Sequence, residues 1–186
     1  MDKKLQKLAA MGAGDFEHVD GKLIDHLCAT RDLLKAWSAS EILQDAGLYH
    51  AAYGTAAFNE DLVNISQRKK IAEIIGQQAE DIVYQYCACD RAFSWPKIGV
   101  ETKPNFKNRF TGEVYLIEED MLQNFCELTV ANELELAIDN SAFVLEHGQF
   151  LYALFLKMGD FISQPARALV EHVLAGNHDC HYLDKE

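Results

Sequence analysis

Asp20-Gly21-Lys22-Leu23-Ile24-Asp25-His26-Leu27-Cys28-Ala29-Thr30-Arg31-Asp32-Leu33-Leu34-Lys35-Ala36-Trp37 is the stretch that decides the fold. Leu23, Ile24, Leu27, Leu34 and Trp37 recur at helical spacing, while Lys22, Asp25, Arg31 and Lys35 fall mostly on other faces. This predicts a long amphipathic helix from about Asp20 to Trp37, with His26 near its apolar stripe. Ser38-Ala39-Ser40 then breaks the helix, and Ser40 is suited to cap the next one. Ile42, Leu43, Ala46 and Leu48 carry a second apolar face up to Tyr49-His50, so His26 and His50 belong to neighbouring helices.

Working outward, Gly54-Thr55 and Asn59-Glu60-Asp61 mark a loop, Ser66 to Ile75 reads as a helix, and Gly76 ends it. Gln77 to Arg91 reads as a further helix whose apolar positions Ala79, Ile82, Val83 and Tyr86 leave Glu80, Asp81 and Gln85 toward polar surroundings. Ala92 to Leu116 holds Pro96 and Pro104, and Phe110-Thr111-Gly112-Glu113-Val114-Tyr115 suggests a small hairpin within a lid-like insertion. From Glu118 the helical period returns, with Leu122, Phe125, Leu128, Thr129, Asn132 and Leu136 on one stripe. Asn132 is then an inward polar residue that needs a partner. Two last helices are expected over Ala142 to Met158 and Pro165 to Leu174, with Gly176 closing the second. The expected architecture is all-α, a compact helical bundle with a small β-hairpin insertion, in a single domain over residues 1–186.

The 186 residues are 49% hydrophobic, 10% aromatic and 25% charged, which is globular rather than disordered. A net charge of −12, from 29 acidic and 17 basic side chains, argues against non-specific nucleic-acid binding. Lys97, Lys103, Lys107 and Arg109 read as a solvated basic sprinkling. No run reaches the ~18 apolar residues of a membrane span, and Met1-Asp2-Lys3-Lys4-Leu5 opens without the pattern of a signal peptide. Cys28, Cys87, Cys89, Cys126 and Cys180 lack the count and density of a disulfide scaffold, so a cytoplasmic setting is expected. Cys87 and Cys89 read as buried helix cysteines.

His18, His26 and His50 gather in the first third of the chain. Two neutral imidazoles on adjacent helices can share a divalent metal, and a carboxylate is the usual companion. The plainer reading of His26 and His50 is a pair of core histidines bonded to each other or to backbone. Arg68 and Arg91 are candidates for a phosphate clamp, or else for structural ion pairs. Tyr53 and Thr55 are candidate hydrogen-bond donors to a ligand or simply turn residues. The tail His178-Asp179-Cys180-His181 has metal-ligand chemistry but lies at a chain end. The stripe Phe150, Tyr152 and Phe155 reads as core or subunit interface.

Leu23-Ile24-Asp25-His26-Leu27, followed 24 positions after His26 by Leu48-Tyr49-His50-Ala51-Ala52-Tyr53-Gly54, resembles the opening helices of the HD superfamily. Val130-Ala131-Asn132-Glu133-Leu134 stands where that superfamily carries its final aspartate. The chain also resembles an uncharacterised HD-like branch with a Tyr-Gly-Thr turn, here Tyr53-Gly54-Thr55, and with Arg68, Glu80, Tyr84 and Asp90-Arg91 around it. The resemblance spans about residues 15–139 and implies a metal-dependent hydrolase of a small phosphorylated metabolite. In that reading His26 and His50 bind a divalent metal, His18 and Glu80 assist catalysis, and Tyr53, Thr55, Arg68, Arg91 and Asn132 contact substrate. Two positions depart from the pattern: Ala51 replaces the aspartate of the His-Asp pair and Asn132 replaces the final one. Loss of both carboxylates motivates the alternative, a metal-free ligand-binding or regulatory protein that retains the pocket, with a homodimer as the expected assembly. Di-iron oxygenase chemistry, also implied by the resemblance, asks for more carboxylates than this chain offers.

Overall fold

The computed structural model describes residues 2–14, 17–18, 21–56 and 61–175, without the side chains of 17, 18 and 21. After α1 (Lys3–Leu8), Glu17–His18 (β1) pairs antiparallel with Gly21–Lys22 (β2), and α2 (Leu23–Ala36) follows directly. The helix therefore starts at Leu23 rather than Asp20, because the backbone of Gly21 and Lys22 is committed to the ladder. Ser40 caps α3 (Glu41–Tyr49) as expected, its Oγ accepting from the Leu43 N–H at 3.2 Å. At Gly47 an added Cβ would stand 2.5 Å from Leu34 Cδ1, so glycine here lets α2 and α3 cross closely.

A short 3-10 turn (Ile65–Gln67) leads into α4 (Arg68–Ile75), which stops at Gly76 with φ 87°. The next helix, α5 (Gln77–Ala88), ends earlier than its apolar period predicts. Cys89 is extended and bridges Asn108, and the Asp90 carboxylate accepts from the Phe93 N–H to start a separate short helix, α6 (Arg91–Ser94). Thus Cys89 is buried but not helical, while Cys87 is both. Glu80 and Gln85 are also buried, contrary to the polar surroundings expected from the period.

The insertion folds as β3 (Asn105–Lys107) paired antiparallel with β4 (Val114–Leu116), longer than the hairpin read from sequence. It closes the C-terminus of α5: Arg109 donates its backbone N–H to Ala88 O at 2.7 Å and its Nε–H to Cys87 O at 2.6 Å. These are orphan carbonyls that a helix end must satisfy. Lys107 pairs with Asp90 at 3.0 Å. Arg109 and Lys107 are thus fasteners rather than a solvated sprinkling. Ile98 and Phe106 are fully buried, so the insertion contributes to the core instead of lying over it as a lid.

The central element is α7 (Glu119–Ala137), which packs against α2, α3, α5, α8 (Ser141–Lys157) and α9 (Gln164–Leu174). Being surrounded, it buries consecutive residues from Phe125 to Leu134 rather than one stripe. Glu127 on α7 accepts the Ser163 N–H at 2.8 Å and the Ser163 hydroxyl at 2.6 Å, tying down the start of α9. The molecule is mainly helical with a small antiparallel hairpin, and its buried apolar residues form one core. Among the described residues no helix is long and apolar enough to cross a membrane. Asn59, Glu60, Gly176 and the tail from His178 to His181 lie outside the described residues.

Candidate functional site

The close crossing of α2 and α3 brings the His26 and His50 rings edge to face, 5.2 Å between centroids. His50, at the end of α3, donates Nδ1–H to Gly47 O at 2.7 Å, which leaves the ring's lone pair on Nε2. Cys87 donates its thiol to His50 O at 3.0 Å, and burial pushes that thiol up to about 12. Cys87 is therefore an anchor for the histidine's backbone and not a nucleophile.

His26 has oxygen on both sides. Its Nε2 is 3.0 Å from Asn132 Oδ1 and its Nδ1 contacts Glu135 Oε2. The Asn132 orientation is assigned from the network: its Nδ2 donates to Glu133 Oε1 at 3.0 Å, so the carboxylate and the imidazole each meet the correct end of the amide. Because the Asn132 oxygen only accepts, Nε2 is the donor of the first contact, and the second is a hydrogen bond between Nδ1 and the Glu135 carboxyl group. The inward polar position read from the sequence at Asn132 is thus occupied by a residue with a partner at each end.

The chain of contacts continues. Arg91 donates Nη1–H to Glu133 Oε1 at 2.8 Å and Nη2–H to Tyr86 Oη at 3.0 Å, and burial pushes the Tyr86 phenol up. The Tyr86 ring returns to His50, 5.5 Å between centroids. His26, Asn132, Glu133, Arg91, Tyr86 and His50 form a closed polar circuit drawn from α2, α3, α5, α6 and α7. Most of it lines a cavity of about 340 Å³, together with Ala51 and Thr55. The rest of the lining includes the aromatic rings of Trp95 and of Phe143, His147 and Phe150 on α8. His26 also borders a second, wider cavity of about 880 Å³, whose walls include Asp25, Asp32, Glu135 and Asp139.

Five predicted site residues therefore meet at one cavity: His26, His50, Thr55, Arg91 and Asn132. Tyr53, Arg68 and Glu80 meet elsewhere. Glu80, fully buried, accepts from Arg68 Nε and Nη2 at 2.7 Å each, from Tyr53 Oη at 2.8 Å and from Gln77 Nε2 at 3.3 Å. Two donors at each oxygen fill the carboxylate's acceptor sites. Burial and the bond to Glu80 push the Tyr53 phenol up, and Arg68 lies over the Tyr84 ring at 3.8 Å. This knot joins α4, α5 and the turn after α3, and none of the three lines the cavity of His26 and His50. His18 sits in β1 by its backbone, and its side chain lies outside the described residues.

A divalent metal at His26 would have to displace Asn132 or Glu135, and Ala51 offers no oxygen. Among the described residues no group of three or more His, Cys, Asp or Glu side chains is placed to hold a metal ion. Among the described side chains, the donors around His26 and His50 do not make an ordinary divalent site.

Sequence reasoning missed Glu133, Trp95, Phe143 and His147. The signal for Glu133 was the unbroken run Val130-Ala131-Asn132-Glu133-Leu134, which fits a helix enclosed on all sides. Trp95 and the residues of α8 carried no local signal, since only tertiary packing brings them to the histidines.

Residues 7–91 match the family model described as a domain of unknown function, DUF6817. That span includes His26, His50, Thr55 and Arg91 and stops before Asn132, Glu133 and the aromatic wall. No curated protein and no solved structure matches the chain.

Proposed function

We propose that this protein binds a small phosphorylated metabolite in the cavity between the polar circuit and α8, without a metal ion. The observation that carries the reading is the state of His26, whose two ring nitrogens are both turned to oxygen acceptors. That arrangement spends both ring nitrogens on hydrogen bonds instead of on a metal. Arg91, on the same wall, uses two of its five N–H donors on Glu133 and Tyr86 and keeps others for an anion. Phe143, Phe150 and Trp95 suit the apolar part of such a ligand, because pockets of this size combine apolar walls with a few polar groups. The resemblance to the HD superfamily agrees with a pocket at this place, and the replacements at Ala51 and Asn132 agree with one that does not use metal.

A cytoplasmic setting belongs to the same reading, supported by the free thiols of Cys28, Cys87, Cys89 and Cys126. A thermal-shift panel of phosphorylated metabolites tests it. At least one should raise the melting temperature of the native protein, and Arg91→Met should remove the rise. A panel that leaves the melting temperature unchanged, or a rise that survives in Arg91→Met, sinks the reading.

The second reading is metal-dependent hydrolysis of a phosphorylated metabolite, favoured by the 5.2 Å approach of His26 and His50. Elemental analysis separates the two. A stoichiometric divalent metal that disappears in the His26→Ala/His50→Ala variant would support the hydrolase and overturn the metal-free pocket.

A further inference from the structure

The core takes only one side of α8, the side with Val144, Leu151, Leu154 and Phe155. A second row runs through Ala142, Leu145, Gln149, Tyr152 and Leu156, spaced by three and four residues in alternation. That is the a and d spacing of a helix-pairing seam. Leu145 is 82% exposed and Leu156 56%, while Ala142 and Gln149 are exposed among the described residues. Tyr152 is half-buried, its hydroxyl donating to Glu171 on α9. Packing within the described fold does not account for the two leucines. No residue of the row is charged, in a chain where 25% of residues are, and the row extends over about 21 Å of helix.

The row is complementary to itself. When two copies of α8 meet antiparallel about a two-fold axis between Phe150 and Leu151, Leu145 stands level with the partner's Leu156. Gln149 then stands level with the partner's Tyr152, and each contact recurs with the copies exchanged, as a two-fold interface requires. Leucine meets leucine at both ends. At the centre the Gln149 amide can donate to a phenol oxygen, and a polar residue in such a seam specifies register. The flanks agree. Glu146 and Lys157 each follow a seam leucine by one position, so they lie on the same flank of the helix. The two-fold axis brings Glu146 within two residues, about 3 Å of rise, of the partner's Lys157. Opposite charges thus meet twice across the axis. Both side chains are exposed, Glu146 having only His147 at 3.7 Å as an ion-pair partner among the described residues.

We propose that this seam on α8 is the contact between two copies of the chain, formed antiparallel with Glu146 facing the partner's Lys157. The proposal does not depend on the ligand reading. The net charge of −12 on each copy acts at longer range, and physiological salt screens exposed charges beyond about 8 Å.

Sedimentation velocity of the full chain at tens of micromolar is the test, and the native protein should run as a dimer. Glu146→Lys and Lys157→Glu should each weaken the dimer about tenfold, since two ion pairs become two like-charge contacts. The Glu146→Lys/Lys157→Glu variant only exchanges the partners and should recover to within about threefold of the native protein. Both positions are exposed, so the substitutions leave the core untouched. Single variants that dimerise like the native protein, or a double variant no tighter than the singles, overturn the proposal. A monomeric native protein overturns it too, and the Leu145→Glu/Leu156→Glu variant then says what the row is for. A lowered melting temperature would mean that another segment of the same chain covers it, and an unchanged one that it serves a different protein.

Discussion

At the scale of single residues, the ionisable groups divide into those that hold the backbone and those that face the cavity. Asp90 is of the first kind: the Lys107 hydrogen bond, aided by the Phe93 N–H, holds its carboxyl below the ordinary value of 3.8. A depressed folded-state value means stability that is fully present above the unfolded-state value and lost as pH falls through the folded one. Asp90→Asn, which keeps a capping side chain, should therefore be less stable than the native protein by roughly 0.5 to 1 kcal/mol at pH 7. The gap should close as pH drops below about 4. Urea midpoints of both proteins at pH 7, 4 and 2.5 measure it, and a gap that stays constant would mean that the Asp90 charge contributes nothing.

At the scale of elements, the insertion is pinned at its middle to the end of α8. Gly99 has φ 69°, and a Cβ there would stand 2.0 Å from Lys157 O, a backbone atom that cannot swing aside. Gly112, in the hairpin turn, has φ 78° but nothing within 4 Å of an added Cβ. Gly112→Ala should cost only the left-handed backbone term, about 1–2 kcal/mol. Gly99→Ala should cost roughly 2–5 kcal/mol because overpacking adds to it. Chemical denaturation of both variants reads the difference, and equal losses would mean that the Gly99 contact does not hold the insertion. The sequence made the flanking helices legible because Leu23, Leu27, Leu43 and Leu48 keep one period. It could not show that α5 stops at Ala88, since Cys89 and Asp90 are taken by partners in the hairpin. Nor could it show the insertion as core, because the burial of Ile98 and Phe106 comes from distant elements. The same limit explains the site: His26, His50 and Asn132 were legible as polar residues at inward positions, whereas Trp95 and α8 had no such contrast.

At the scale of the whole molecule, a net charge of −12 coexists with an apolar face on α8 that is exposed among the described residues. Leu145 is 82% exposed and Leu156 56%, about three turns apart on one side of the helix. The homodimer expected from the sequence would bury this face, and Leu145→Glu with Leu156→Glu should then convert dimer to monomer in sedimentation velocity. A native protein that sediments as a monomer at tens of micromolar refutes that expectation. The contact between Gly99 and Lys157 bears also on time. With the insertion and α8 fastened together, a ligand of the proposed kind would meet Phe150, an exposed ring that stacks on Trp95 and lines the cavity. Exposed side chains change rotamer in picoseconds to nanoseconds, whereas loops take nanoseconds to microseconds. Association should then proceed in a single phase whose observed rate rises linearly with ligand concentration, with no plateau from a slow opening step.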